Sequence, residues 1–226
     1  MTDAELIPAA TVVLLRSTPD GTPEVLMLRK NSKIAFGGMW VFPGGAVDDD
    51  ERVDGDDLAS ARTAAVREVE EETGLVIDGT QLETWSFWVP PPKAQMRGHA
   101  RRFATWFFVM PAPDGDVAID GGEIHEHRWF TPQAALDEHA AGSIELVPPT
   151  WITLHQLSHH ATTADALAWA ARTDPGEFRT KPVSTDPLTL AWAGDAAYDG
   201  GPLDQPGTRN RLTMTPGAWH YDTETV

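Results

Sequence analysis

The stretch REVEEETGL, residues 67–75, contains four glutamates, three of which have a spacing that could hold a metal ion. Glu68, Glu71 and Glu72 stand at i, i+3 and i+4, a spacing that on a helix places their Cβ atoms on one face, about 5–6 Å apart. Such crowding of negative charge is unfavourable, and so is its place near the C-terminal end of a helix dipole. A divalent cation would relieve both penalties, because Mg²⁺ takes carboxylate oxygens as ligands. The alternative that the spacing leaves open is a solvated acidic helix face.

A helix is predicted to carry these acids. The run 58–75 has no proline and no glycine before position 74, and an apolar stripe of Leu58, Ala61, Ala65 and Val69 recurs at intervals of three and four. Gly74 stands where a helix C-cap glycine belongs. We therefore expect one face of the helix to pack on the body of the protein.

Short strands are predicted on both sides of this helix, and further helices after them. The runs 9–16 and 24–29, separated by STPDGTP, indicate a hairpin. Strands are also expected at 82–89, 103–110 and 127–130, and helices at 133–139, 151–159 and 163–171. The last 50 residues are rich in Pro, Gly and Asp, with 211–214 a candidate late strand. The sequence therefore predicts a fold that mixes helices and strands, α/β in the broad sense that includes α+β folds.

The acidic helix and the turn before it resemble the Nudix hydrolase signature, G-x5-E-x7-R-E-U-x-E-E-x-G-U, where U is aliphatic. The second half is matched without exception by residues 67–75, and FPGG at 42–45 resembles the entry turn. The first half departs, because Ala59 stands eight residues before Arg67, where the family has Glu. Between Gly45 and Arg67 lie 21 residues where the pattern has 13, which indicates an eight-residue insertion in the acidic loop 48–57. We expect Asp56 or Asp57 to replace the missing acid.

The resemblance implies a fold, an activity and a cofactor. The fold would be an αβα sandwich with a mixed sheet, with a core at about 9–160 and a helical or irregular C-terminal extension at about 161–226, in one domain spanning 1–226. The activity would be hydrolysis of a nucleoside diphosphate linked to another moiety, with Mg²⁺ or Mn²⁺. The implied metal ligands are the carboxylates of Glu68, Glu71 and Glu72 and the carbonyl of Gly44. Arg67 would brace these carboxylates.

Other site residues are implied by the resemblance downstream of the helix. In GGEIHEHRWFTPQAAL, residues 121–136, a loop acid is expected to point back at the metal site, with Glu123 the first choice and Glu126 the second. Either Glu123 or Glu71 would take the proton from water. Arg101 and Arg102 are candidates to hold substrate phosphates.

The substrate branch that the sequence resembles most acts on coenzyme A and acyl-CoA. The interrupted signature, the RRF-x-T-x-FF strand and the VPPTWITLHQL helix support it. The coenzyme A motif before FPGG is partly kept: Arg29, a candidate substrate ligand, and Gly38 fit, whereas Ile34 stands where Arg is expected. The runner-up is an ADP-ribose or dinucleotide (NADH-type) diphosphatase. A third alternative is a Nudix-like nucleotide-binding module without catalysis, against which the intact glutamates argue.

Composition excludes several classes of site and partner. With 17 basic and 34 acidic residues the chain has a net charge of −17, which argues against duplex nucleic acid as a partner. The absence of cysteine excludes disulfides, thiolate zinc sites and a cysteine nucleophile. There is no apolar run long enough for a membrane span and no secretory start, so a cytoplasmic location is expected. The expected partner is a small nucleotide diphosphate, and a homodimer is left open.

Overall fold

Twelve strands and four α-helices are present in the computed structural model, which describes residues 6–31, 38–92, 101–119 and 121–224. Ile34, named above, lies outside these ranges. The helices are α1 Asp57–Thr73, α2 Pro132–Ala140, α3 Pro148–Leu157 and α4 Thr163–Ala170. The strands are β1 Ile7–Ser17, β2 Pro23–Lys30, β3 Trp40–Val41, β4 Gly44–Ala46, β5 Glu83–Val89, β6 Phe103–Pro111, β7 Ile124–Phe130, β8 Gly176–Arg179, β9 Lys181–Thr185, β10 Leu188–Ala191, β11 Arg211–Thr215 and β12 Ala218–Asp222.

Eight of these strands form one mixed sheet. Its order is β3-β2-β1-β6-β5-β8, with β4 also paired to β1 and β7 to β2. The β1–β6 and β5–β8 pairs are parallel, and the remaining pairs are antiparallel. The predicted hairpin, the three further predicted strands and the mixed sheet are therefore confirmed. Strand β4 pairs with residues 9–11 of β1 and β2 pairs with residues 15–17, so the FPGG turn and the hairpin are both anchored on β1.

Helix α1 covers one face of this sheet. The predicted stripe is buried, since Ala61, Ala65 and Val69 are at most 1 % exposed and pack against apolar residues of β1, β2 and β6. Asp56 caps the N-terminus by accepting a hydrogen bond from the Ala59 N–H at 2.9 Å. Gly74 ends the helix with a φ of 69°, a left-handed conformation that favours glycine. The helix therefore begins and ends close to the predicted limits.

The opposite face of the sheet packs against α2, α3, α4 and the C-terminal residues. Trp88 of β5 stacks on Phe178 of β8 with ring centroids 4.0 Å apart, and the fully buried Trp192 meets both rings edge-on. Helices are thus layered on both faces of the sheet, as expected of a sandwich. The C-terminal residues contribute side chains to the same apolar cluster as β1 and β2.

The C-terminal extension differs from the expectation of helical or irregular structure. After α4 it adds β8 to the first sheet and then forms a four-stranded antiparallel sheet, in the order β12-β11-β10-β9. The predicted late strand is confirmed as β11. The other strands are four or five residues long and lie between turn-forming residues, too short for a periodic pattern to show. A buried ion pair braces this sheet, with Arg211 Nη2 2.6 Å from Asp195 Oδ1.

The division of the chain into one domain stays a prediction. None of the helices in the described ranges is long and apolar enough to cross a membrane.

Candidate active site

Two of the three predicted glutamates meet the FPGG turn. The Glu68 carboxylate lies directly against Gly45: a Cβ added there would fall 2.1 Å from Glu68 Oε1. One turn further along α1, Glu72 Oε2 accepts a hydrogen bond of 2.9 Å from the Gly44 N–H. Any side chain at Gly45 would push the Glu68 carboxylate away, so the glycine at this position allows the carboxylate to contact the turn. The site therefore consists of an acidic helix face seated on a glycine turn.

Burial makes the negative charge of these two groups costly. The side chains of Glu68 and Glu72 are only 15 % and 6 % exposed. Burial raises the pKa of Glu72 above its ordinary value, and Lys30 and the Gly44 N–H only partly offset this effect. Burial likewise raises the pKa of Glu68, although Arg67 favours its charged form. The negative charge of Glu71 further raises the pKa of Glu68, and that of Glu68 raises the pKa of Glu72, so a further positive charge at this place would be stabilising.

Lys30 is a site residue that the sequence analysis missed. It ends β2, and its Nζ lies 2.6 Å from Glu72 Oε1 and 3.9 Å from Glu123 Oε2. The two members of its main ion pair are 42 residues apart in the chain, and no local pattern links them. Only the packing of β2 beside the end of α1 brings the ammonium to the acids.

Arg67 is bound by carboxylates on both sides of the insertion. Its Nε and Nη2 donate to the two oxygens of Glu51 at 2.8 and 3.0 Å. Its Nη1 donates to Glu68 and to Glu71, both at 2.9 Å. Burial alone would raise the pKa of Glu51, but hydrogen bonds from Arg67 and from the Asp48 N–H lower it. These bonds in turn raise the pKa of Arg67, with Glu51 the largest cause.

The acid that replaces the missing family glutamate is Glu51, so the expectation of Asp56 or Asp57 is wrong. Asp56 is committed to the N-cap of α1, and Asp57 begins that helix as an exposed residue. Counting forward from Gly45 gives five residues and then Glu51, which satisfies the first spacing of the signature. The insertion therefore lies between Glu51 and Arg67, which are separated by residues 52–66, 15 residues where the pattern has seven. Counting backward from Arg67 crosses the insertion and reaches Ala59 instead.

Glu71 and the two loop acids lie around this centre with different environments. The Glu71 side chain is 60 % exposed and shares the Arg67 guanidinium with Glu68. Glu123 is close to Lys30 and is 66 % exposed, whereas Glu126 lies 3.5 Å from Arg29 on the neighbouring strand. Of the two loop acids, Glu123 thus shares a partner with Glu72.

The three predicted phosphate ligands have three different environments. Arg29 is 44 % exposed and forms the ion pair with Glu126. Arg101 is exposed and lies over the Phe103 ring at 5.4 Å. Arg102 is 4 % exposed and donates to the carbonyls of Pro90 and Pro91 at 3.2 and 3.0 Å. A substrate role for each stays a prediction, and that of Arg102 has to compete with these main-chain hydrogen bonds.

The donor set fits a hard divalent cation. Among the described residues no three His, Asp or Glu side chains form a group arranged to hold a metal by themselves. Mg²⁺ does not need such a group, because it commonly keeps several waters and binds through one or two carboxylates together with substrate phosphates. Glu68 and Glu72, both buried against the glycine turn, supply two carboxylates. The Glu71 carboxylate and the Gly44 carbonyl stay predicted additional ligands.

Several curated proteins resemble this chain over part of its length. It is 31 % identical over 109 residues to an RNA pyrophosphohydrolase of Dinoroseobacter shibae, covering 43 % of this chain and 63 % of that protein. It is 34 % identical over 85 residues to the acyl-coenzyme A diphosphatase NUDT19 of Xenopus laevis, covering 35 % and 21 %. With the human NAD-capped RNA hydrolase NUDT12 it shares 29 % identity over 144 residues, 63 % of this chain and 27 % of that one. The chain thus spans between about a fifth and two thirds of these relatives.

A solved structure and a family model also match this chain. The crystal structure of a NUDIX hydrolase from Alicyclobacillus acidocaldarius superposes with a TM-score of 0.64 at 22 % identity, covering 73 % of this chain and 96 % of that one. This likeness confirms the fold. The model of the NUDIX domain matches residues 6–150, which include strands β1 to β7 of the first sheet, α1 and both loop acids. The chain therefore belongs to the NUDIX domain family.

Proposed function

We propose that this chain is a hydrolase that uses a divalent cation to cleave the diphosphate of a nucleoside diphosphate linked to another moiety. The observation that carries the proposal is the pair of buried carboxylates, Glu68 and Glu72, seated on the glycines of the FPGG turn. Burying two like charges costs free energy, so such a pair is expected only where another interaction offsets that cost. Membership of the NUDIX domain family supports the same activity.

The residues around this pair have separate tasks in the reaction. A bound Mg²⁺ or Mn²⁺ would neutralise phosphate charge and lower the pKa of a water molecule. Glu68 and Glu72 would hold the cation, and the Glu71 carboxylate and the Gly44 carbonyl would be further ligands. Arg67, fixed on one side by Glu51, keeps the Glu68 carboxylate oriented through a charge-assisted hydrogen bond of 2.9 Å.

The proton of the attacking water needs an acceptor that is ionised and within reach of the centre. Glu123 is our first choice, because it shares Lys30 with Glu72 and its exposed carboxylate is accessible to substrate and water. Glu71 is the alternative, and its Oε2 lies 2.9 Å from Nη1 of Arg67.

Coenzyme A or a short acyl-CoA is the substrate that we propose. Support comes from the stretch of 34 % identity to an acyl-coenzyme A diphosphatase and from the insertion between Glu51 and Arg67. Arg101 and Arg29 are exposed cations on a chain with a net charge of −17, so they would provide local attraction for a polyanion. The 3′-phosphate of coenzyme A offers one more anionic group to such residues than ADP-ribose does.

A second candidate is hydrolysis of a dinucleotide or ADP-ribose. The longer match to NAD-capped RNA hydrolases, over 144 residues, favours it. The intact glutamates argue against a module without catalysis.

A panel of diphosphates distinguishes these candidates. Coenzyme A, acetyl-CoA, ADP-ribose and NADH are each incubated with the protein and Mg²⁺ or Mn²⁺, and the products are identified by mass. We expect 3′,5′-ADP and 4′-phosphopantetheine, or its acyl form, from the first two. Hydrolysis of ADP-ribose or NADH at least about tenfold more efficient than that of coenzyme A, a difference of about 1.4 kcal/mol, would favour the second candidate.

A further inference from the structure

Lys30 places a positive charge inside the carboxylate cluster. Its Nζ lies 2.6 Å from Glu72 Oε1, and the two side chains are 11 % and 6 % exposed. Most surface lysines extend into water, so a lysine buried against an acid in this way is a paired group. The pair neutralises a carboxylate that burial would otherwise disfavour.

The main chain on both sides of Lys30 is fixed. Its N–H donates to the Met39 carbonyl at 3.1 Å, and its carbonyl accepts from the Gly38 N–H at 2.9 Å. The next residue, Asn31, donates to the Glu123 carbonyl at 2.7 Å. The position of the lysine Cα is therefore set by β2, β3 and the loop of Glu123. Only the flexible side chain is able to move when another cation enters.

The two oxygens of Glu72 are both engaged. Oε2 accepts from the Gly44 N–H, which is part of the glycine turn itself, and Oε1 accepts from Lys30. A cation approaching from outside the turn therefore competes with the ammonium for Oε1. The two positive charges also repel each other strongly at such short range in a poorly solvated place.

We propose that Lys30 is a tethered counter-cation of the metal site. It holds the Glu72 carboxyl group in position while no divalent cation is bound, and it weakens divalent cation binding by competing for the same oxygen. Lys30 is thus a positioning residue that acts through Glu72. This inference rests on the proposed function, because it requires Glu72 to be a metal ligand.

The test compares Lys30→Met with Lys30→Arg and with a matched control. Lys30→Met keeps the length of the side chain and removes its charge, whereas Lys30→Arg keeps the charge. Lys181→Met makes the same change at an exposed ion pair with Asp199, in the C-terminal sheet. Mn²⁺ affinity is measured by calorimetry, and thermal unfolding is followed in EDTA and at saturating Mn²⁺.

We expect Lys30→Met to bind Mn²⁺ about tenfold more tightly than the unmodified protein, because the competing charge is gone. Its Tm in EDTA should fall, and Mn²⁺ should raise this Tm by more than it raises that of the unmodified protein. Lys30→Arg and Lys181→Met should keep the Mn²⁺ affinity within about twofold of the original, because neither removes a charge from this site. If Lys30 had a structural role alone, Lys30→Met would lower the Tm equally with and without Mn²⁺.

Three results would overturn the inference. Unchanged or weaker Mn²⁺ binding by Lys30→Met refutes the competition while leaving the proposed function intact. An equal loss of Tm in both conditions reduces Lys30 to a structural role. If the unmodified protein binds no Mn²⁺, the proposed function fails together with the inference.

Discussion

Glu51 and Arg67 form a two-point ion pair across an insertion in the chain, with Nε–Oε1 and Nη2–Oε2 distances of 2.8 and 3.0 Å. Glu51 lies in a short 3₁₀ helix before the insertion, and Arg67 lies on α1 after it. The same guanidinium donates to Glu68, so the orientation of a candidate metal ligand depends on an acid outside its own helix. The extra residues therefore leave the contacts of the site unbroken.

Replacement of Glu51 by Gln should impair both activity and stability. It removes one charge from a largely buried, bidentate pair, for which we expect a loss of about 1–2 kcal/mol in the free energy of unfolding. Arg67 would then be less constrained, and kcat should fall by about tenfold or more. Urea denaturation and steady-state kinetics measure the two effects. The control is Asp57→Asn, an exposed acid that should leave kcat unchanged; a larger loss there than at Glu51 would refute this assignment.

Replacement of Glu72 by Gln should lower kcat by about two orders of magnitude or more, because it removes a ligand charge from a preorganised site. The fold should persist, since Gln still accepts a hydrogen bond from the Gly44 N–H. Kinetics at saturating Mg²⁺ and circular dichroism provide the measurements. Near-normal activity in a folded Glu72→Gln protein would show that Glu72 is not a metal ligand.

The metal-free protein should show a specific dependence of stability on pH. Burial raises the pKa of Glu72 above its ordinary value of 4.5, so the folded state binds more protons than the unfolded state above that pH. The contribution of Glu72 to stability therefore falls as pH rises from 4.5 through the raised pKa. Glu72→Gln removes this contribution, so its stability relative to the unmodified protein should increase with pH.

Urea denaturation in EDTA, from about pH 5 to about pH 8, measures this difference. Burial lowers the pKa of His139, His155 and His160, which gives both proteins a contribution that increases with pH. That contribution cancels when the two proteins are compared. A stability difference that does not change with pH would contradict the raised pKa.

Replacement of Glu123 by Gln should lower kcat much more than it raises KM, because a base acts mainly in the transition state. Glu126→Gln is the matched control, since Glu126 contacts Arg29 rather than Lys30. If Glu123→Gln left kcat unchanged while Glu126→Gln lowered it strongly, the role of the base would belong to Glu126.

The phosphate role of the arginines is best tested at Arg101. Arg101→Ala should raise KM for coenzyme A more than KM for ADP-ribose, because coenzyme A carries an additional phosphate. Arg102→Ala is unsuitable as a binding test, since it would leave the Pro90 and Pro91 carbonyls without their donor. Equal effects of Arg101→Ala on both substrates would remove Arg101 from the 3′-phosphate site.

Much of the fold could be predicted because its signals are local. The stripe of α1, its C-cap at Gly74 and the longer strands all follow from spacing within a few residues. Apart from β11, the C-terminal sheet could not be predicted in this way. Its strands have only four or five residues each, and its stabilising contacts, such as Arg211 with Asp195, join distant positions.

The residues of the candidate site also differ in whether local sequence signals predict them. Glu68 and Glu72 follow from helix periodicity, and Glu51 could have been found by counting forward from Gly45. Lys30 could not, because its contact with Glu72 exists only after β2 and α1 pack together. The sequence also does not distinguish an exposed arginine such as Arg101 from a buried one such as Arg102.

The most direct test of the account follows the fate of water. Coenzyme A is incubated with the protein in ¹⁸O-labelled water, once with Mg²⁺ and once with EDTA. The masses of the products are then measured by mass spectrometry. We predict 3′,5′-ADP and 4′-phosphopantetheine, with one labelled oxygen in one of the two products and no cleavage in EDTA. Cleavage that persists in EDTA, or the absence of cleavage of coenzyme A and of every other diphosphate in the panel with either metal, would contradict the account.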